Sequence, residues 1–162
     1  MAHLRQELRD RMQSTLSSGV TLVSGRVYTN RVYSLSAINL PIVTISFDSE
    51  SSSLATIGIK TMQRNVDVMV DVYCKANANL DDDVDDICLQ IEDAIAGDFT
   101  LNGLAKQCIL TGTDLQLTGD AEQPIGIARL RYSILYFTSD GFLLQEDNSY
   151  LWQENGSRLL RA

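Results

Sequence analysis

The chain is poor in the side chains that chemistry relies on: it has one histidine, His3, one tryptophan and two prolines in 162 residues. A single histidine close to a fraying N-terminus is a poor general base, and it leaves no nucleophile with a proton-accepting neighbour. Gly-x-Ser-x-Gly, a Walker loop, a Gly-rich dinucleotide turn and His-Glu-x-x-His are all missing. The expectation is a protein that is not an enzyme. Long apolar runs are missing too: no run of uncharged apolar residues approaches the roughly 20 that cross a bilayer. The opening residues 1–12 read as a charged helix rather than a signal peptide, so a protein made and kept in the cytoplasm, with no membrane partner, is expected.

Cysteine is scarce, and its placement is uninformative for redox or metal chemistry. Cys74, Cys88 and Cys108 are odd in number, far apart and set among apolar neighbours, which suits reduced core thiols better than disulfides. Tetrahedral zinc wants four ligands, and the only histidine is His3, far along the chain from these dispersed cysteines. No metal and no cofactor are expected.

Positive charge is also short, and unevenly so. The formal net charge is -8, and residues 76–105 hold eight acids (Asp81, Asp82, Asp83, Asp85, Asp86, Glu92, Asp93 and Asp98) with no Lys or Arg. The other 13 acids balance the 13 bases, so one segment carries the whole imbalance. A nucleic-acid reader needs a basic stripe and an aromatic platform, and neither is present. Arg5, Arg9 and Arg11 form the densest basic group, which a solvated helix face explains.

What is present is periodicity. Leu4, Leu8, Met12 and Leu16 recur every four residues with charges between them, predicting a helix that Ser17, Ser18 and Gly19 end. Residues 21–39, rich in Val, Tyr, Ser and Asn, read as short strands or extended loop. After Pro41, Val43, Ile45 and Phe47 alternate with Thr44 and Ser46, the pattern of a half-buried strand. Residues 48–61 are polar and small, with an apolar patch at Leu54, Ile57 and Ile59, and read as a long connection. Val66, Val68, Val70, Val72 and Cys74 give the cleanest two-residue period in the chain, with Asp67, Met69, Asp71, Tyr73 and Lys75 facing the other way.

Leu80, Val84, Ile87, Cys88, Ile91, Ala94 and Ile95 then recur at steps of three and four, with Asn79 at the N-cap position, acids in the first turn and Gly97 as the stop. Asp81, Asp83, Asp85 and Glu92 match positions 1, 3, 5 and 12 of an EF-hand calcium loop. Position 6 is Asp86 where the loop's sharp turn requires glycine, and the helical period runs straight through, so a wet helix face is the preferred reading. Residues 108–117 and 127–137 predict two antiparallel strands joined through residues 124–126 and lying beside the Val66–Cys74 strand.

The class expected is α+β: a mostly antiparallel twisted sheet with the N-terminal helix and the acidic helix packed on one face. Residues 1–138 would form one domain. Residues 139–162 would be a C-terminal extension, with scattered Phe142, Leu143, Leu144, Tyr150, Trp152, Leu159 and Leu160 that need the domain or a neighbour for burial.

Taken together, the N-terminal amphipathic helix, the Pro-led strand 41–47, the long connection to the strand ending at Lys75, the acidic helix to Gly97 and the closing strand entered through Pro124-Ile-Gly-Ile-Ala-Arg-Leu-Arg-Tyr132 resemble the tail terminator family of long-tailed bacteriophages. The resemblance covers residues 2–138. It implies a virion protein at the head-proximal end of the tail, assembled in the host cytoplasm: a ring of six copies that caps the tail tube, ends tube polymerisation and presents a docking surface to the head. The partners implied are further copies of the chain, the tail tube protein and a head-tail connector or neck protein. DNA passes through such a ring without being read.

Residues placed at the ring and tube interface are Leu54, Ile57, Ile59, Lys60, Arg64, Arg129 and Arg131, with the face Asp82, Asp83 and Asp86 lining the DNA path. Arg129 and Arg131 could instead pair with Asp67 or Asp71 across the sheet, the preferred reading of the two. A different neck, tail-completion or head-tail adaptor protein would have the same composition, and a ligand-binding domain would show a concave polar pocket.

Overall fold

The computed structural model describes residues 3–29, 40–55, 61–75, 79–118 and 125–139. Helix α1 (Leu4–Gly19) opens on His3, whose Nδ1 accepts the Arg5 N–H at 3.1 Å and so caps the first turn. Its buried stripe is Leu8, Met12 and Leu16, each with no exposed surface. A short 3₁₀ turn (Thr21–Val23) follows, and Ser24 and Gly25 at positive φ swing the chain into β1 (Val27–Thr29).

Among the described residues the sheet has five strands in the order β1-β2-β3-β5-β4, where β2 is Ile42–Leu54, β3 Thr61–Lys75, β4 Gln107–Thr118 and β5 Ile125–Ser139. The short β1 runs parallel to β2 and every other pairing is antiparallel. Helix α2 (Leu80–Gly97) lies with α1 on one face of this sheet. The α+β layout read from the sequence is what the chain adopts.

One core fills the space between helices and sheet. From β3 it takes Val66, Val68, Val70, Val72 and Cys74, and from β5 Ala128, Leu130, Tyr132, Ile134 and Tyr136. Leu80, Val84, Ile87, Cys88, Ile91 and Ile95 come down from α2 to meet them. Burying one such Val, Leu or Ile side chain is worth about 1.5–3 kcal/mol, so this two-residue alternation anchors the fold. All three cysteines are buried and unpaired; burial pushes Cys74 and Cys88 up to about 11 and Cys108 to about 12, which keeps them protonated.

Two close approaches set how the layers meet. A Cβ at Gly19 would lie 2.5 Å from the Ala94 Cβ, so the two helices touch where α1 ends. A Cβ at Gly126 would lie 2.8 Å from Leu80 Cδ1, so the start of β5 passes directly beneath the first turn of α2.

The expectation of a long connection over residues 48–61 is corrected. Strand β2 continues to Leu54 and β3 begins at Thr61, with residues 51–54 paired to 62–65. A bulge between Phe47 and Glu50 lets Asp48 and Ser49 oppose Asp67, whose carboxylate accepts the Ser49 hydroxyl at 2.8 Å. Beyond that bulge residues 51–54 are exposed on both sides, so no apolar alternation marks them as strand.

The reading of residues 21–39 as short strands or extended loop holds for β1 at 27–29 but not for the 3₁₀ turn at 21–23, and 30–39 lie outside the described residues. Asn79 does occupy the N-cap position of α2, but its side chain does not make the cap hydrogen bond.

Candidate assembly interface

The described residues among those singled out from the sequence fall on three separate surfaces. The first is an arm, formed where β2, β3 and β5 run on past the helices. At its base Glu50 lies on the helix side, 13% exposed, and accepts hydrogen bonds from Arg64 Nη1 at 2.7 Å and from the Tyr136 hydroxyl at 2.9 Å. Arg5 of α1 stands 3.9 Å from the same carboxylate. Burial raises the Glu50 carboxyl's pKa, but the bonds from Arg64 and Tyr136 and the charges of Arg64 and Arg5 outweigh it, leaving the group below its ordinary value.

Arg64, expected at a subunit interface, is thus already committed within the chain; it also donates from Nε to Thr138 at 3.0 Å. Further out, Leu54 is 70% exposed opposite Met62. Ile57, Ile59 and Lys60 lie outside the described residues.

The second surface is the face of the sheet opposite the helices. Its centre is polar and paired: Arg129 donates from Nε and Nη2 to the two oxygens of Asp71 at 2.7 and 3.0 Å, a bidentate bridge between β5 and β3. Arg131 pairs with Asp114 on β4, and Ser133 donates to Asn65 at 2.8 Å. Pairing across the sheet, the preferred reading for the two arginines, holds for Arg129 with Asp71; for Arg131 the partner is Asp114. Sequence reasoning missed Asp114 because the bulge between Leu110 and Gly112 changes which β4 side chains share a face with β5. Around this polar centre Tyr28, Ile109 and Phe137 are 38%, 47% and 43% exposed.

The third surface is α2 and its surroundings. The helix runs unbroken through Asp81, Asp83, Asp85 and Glu92, so these acids do not sit in an EF-hand loop. Asp82, Asp83 and Asp86 face outward. Acids in the first turn suit the positive end of the helix dipole. Beside them, between α2 and the β4–β5 edge, runs a groove of about 460 Å³ with Leu80, Val84, Leu115 and Ile127 as apolar lining and Asp81 and Asp85 on its rim.

A fifth ion pair lies away from these surfaces, between the two helices. Asp98, just after α2, accepts from Arg11 at 2.8 and 2.9 Å, from the Thr15 hydroxyl at 3.1 Å and from the Asn102 N–H at 2.8 Å, tying α1 to the end of α2. The arm, the paired sheet face and the acidic helix are therefore not one converging site but three faces of one body.

No protein-family model matches the chain, and no curated protein does. Among solved structures, a chain in the virion of a native gene transfer agent (GTA) particle is similar, with a TM-score of 0.37 and 12% identity, the match covering 82% of this chain and 91% of that one. A likeness that distant assigns neither a fold nor a role.

Proposed function

We propose that this chain is a structural virion subunit that makes and breaks no bond in any substrate. Six copies close into a ring that caps the tail tube of a long-tailed phage, ends tube polymerisation and gives the head its docking surface. The observation that carries this reading is the arm. Three paired strands project past the helix-covered core, with residues 51–54 exposed and Leu54 presented near the far end. An isolated subunit gains no core from such a projection; a neighbour in a ring would bury it.

The resemblance in element order supports the tube-capping role. The sheet face opposite the helices supplies a second area for contact, with Arg129 held by two bonds to Asp71 and Arg131 paired with Asp114. The acidic face Asp82, Asp83 and Asp86 suits a wall along which DNA slides, since like charge prevents phosphate from sticking. Termination follows if the face turned away from the tube cannot recruit another tube subunit.

Native mass spectrometry of the full chain, followed by electron microscopy of growing tail tubes with the protein added, tests the reading. A six-subunit mass together with tubes capped at one end is the expected result. A monomer that leaves tube length unchanged would sink it, and binding to a portal or neck protein but never to tube would move the assignment to a head-tail adaptor.

A further inference from the structure

The groove between α2 and the β4–β5 edge has a chemical character that points to its occupant. Its wall is apolar, and Leu115 on it is 64% exposed, a large side chain left uncovered by the described residues. Its rim is acidic at Asp81 and Asp85, and no Lys or Arg is among the described residues that line it. The volume of about 460 Å³ lies in the range, roughly 300–1,000 Å³, of sites that enclose a compact ligand. What fits is an apolar anchor with positive charge beside it, turned toward α2.

The chain itself contains that chemistry once outside the described residues: Arg158, Leu159, Leu160 and Arg161, in a stretch, 155–162, with two arginines and no acid. Geometry decides which copy supplies it. The groove lies at the Gly126 end of β5, whereas the chain leaves β5 at Ser139, beside Thr61 at the opposite end. At about 3.3 Å per residue that separation is about 43 Å. A run of nineteen residues, the number from Ser139 to Arg158, reaches about 63 Å at most, so a path to the groove of the same copy uses about two thirds of the greatest reach. A groove on an adjacent copy carries no such fixed separation, because its distance from the end of β5 is set only by how the copies pack.

We propose that residues 158–161 of one copy dock in the α2–β4 groove of a neighbouring copy, leucine into the apolar wall and arginine against Asp81 and Asp85. The proposal rests on the self-assembly part of the function proposed above and adds to it a specific strap between subunits.

Hydrogen exchange of the full-length protein at residues 80–85 and 114–116, with native mass spectra of the same samples, tests it. Two variants reverse the charges, R158E/R161E on the segment and D81R/D85R on the groove. Each alone is expected to exchange about tenfold faster than wild type at these amides. An equimolar mixture should recover protection, since acidic segments then meet basic grooves across copies.

Exchange unchanged by R158E/R161E would overturn the proposal. So would protection restored only when all four substitutions share one chain, because that is docking within a copy. A ring mass with an unprotected groove removes the strap and leaves the ring, whereas monomers throughout remove both.

Discussion

The two faces of the same pair of strands are built on different physics. Toward the helices, β3 and β5 present Val66, Val68, Val70 and Val72 against Leu130, Tyr132 and Ile134, all 2% exposed or less. Toward the other side the same strands present Asn65, Asp67, Met69 and Asp71 beside Arg129, Arg131 and Ser133, with Asp71 paired to Arg129 and Asn65 accepting from Ser133. A buried aliphatic side chain is worth about 1.5–3 kcal/mol, and an exposed ion pair about 0–1 kcal/mol. Stability therefore resides almost wholly on the helix side, and the opposite face can change its charges with little effect on folding. Surface complementarity, the mode of action proposed above, gains from that separation.

The sharpest way to break the comparison is to open the covered face. Leu130 has no exposed surface and sits in the middle of the core, so Leu130→Ala should cost about 2–5 kcal/mol in urea unfolding. A loss below about 1 kcal/mol would mean that the helices do not cover the sheet as described.

A smaller effect is expected where the two kinds of physics meet, at Glu50. Glu50→Ala strands the Tyr136 hydroxyl, on a side chain with no exposed surface, and leaves Arg64 without its carboxylate, for a cost of about 1–3 kcal/mol. The folded carboxyl titrates below its ordinary value of 4.5. Its contribution is complete above that pH and is lost as pH falls through the lower folded value, so the wild-type advantage over Glu50→Ala should shrink in acid unfolding curves. An advantage that stays constant through the acid range would contradict the assigned pairing.

The same contrast explains what could be read from the sequence. Where a helix covers a strand, alternation is written into the residues: Val66 to Cys74 and Ala128 to Tyr136 announced their strands and their buried side, and the stripes of α1 and α2 announced the cover. Where nothing covers the strand, the signal vanishes. Residues 51–54, serines and a leucine exposed on both sides, are strand only because β3 lies beside them, and pairing with a distant partner leaves no local trace. The Asp71–Arg129 bridge was legible because both charges sit on the polar phase of clearly alternating strands. Asp114 was not, because a bulge shifts the phase of β4 and no composition rule reveals a bulge. The groove beside α2 was illegible for a third reason: its wall joins Leu80 and Val84 to Leu115 and Ile127, which only the tertiary fold brings together.

The smallest effects belong to the open face, and they should rank by burial and geometry rather than by charge. The Asp71 side chain is 9% exposed and holds Arg129 through two bonds, whereas Arg131 and Asp114 are 52% and 46% exposed. Double-mutant cycles with alanine should give a coupling of about 1 kcal/mol for Asp71 with Arg129 and no more than about 0.5 kcal/mol for Arg131 with Asp114. Added salt should erase the second and only weaken the first, because water and ions screen an exposed pair far more than a half-buried one. Equal couplings would show that Asp71 is no better shielded than Asp114, and the polar face would then hold no fixed element on which a partner's contacts could be registered.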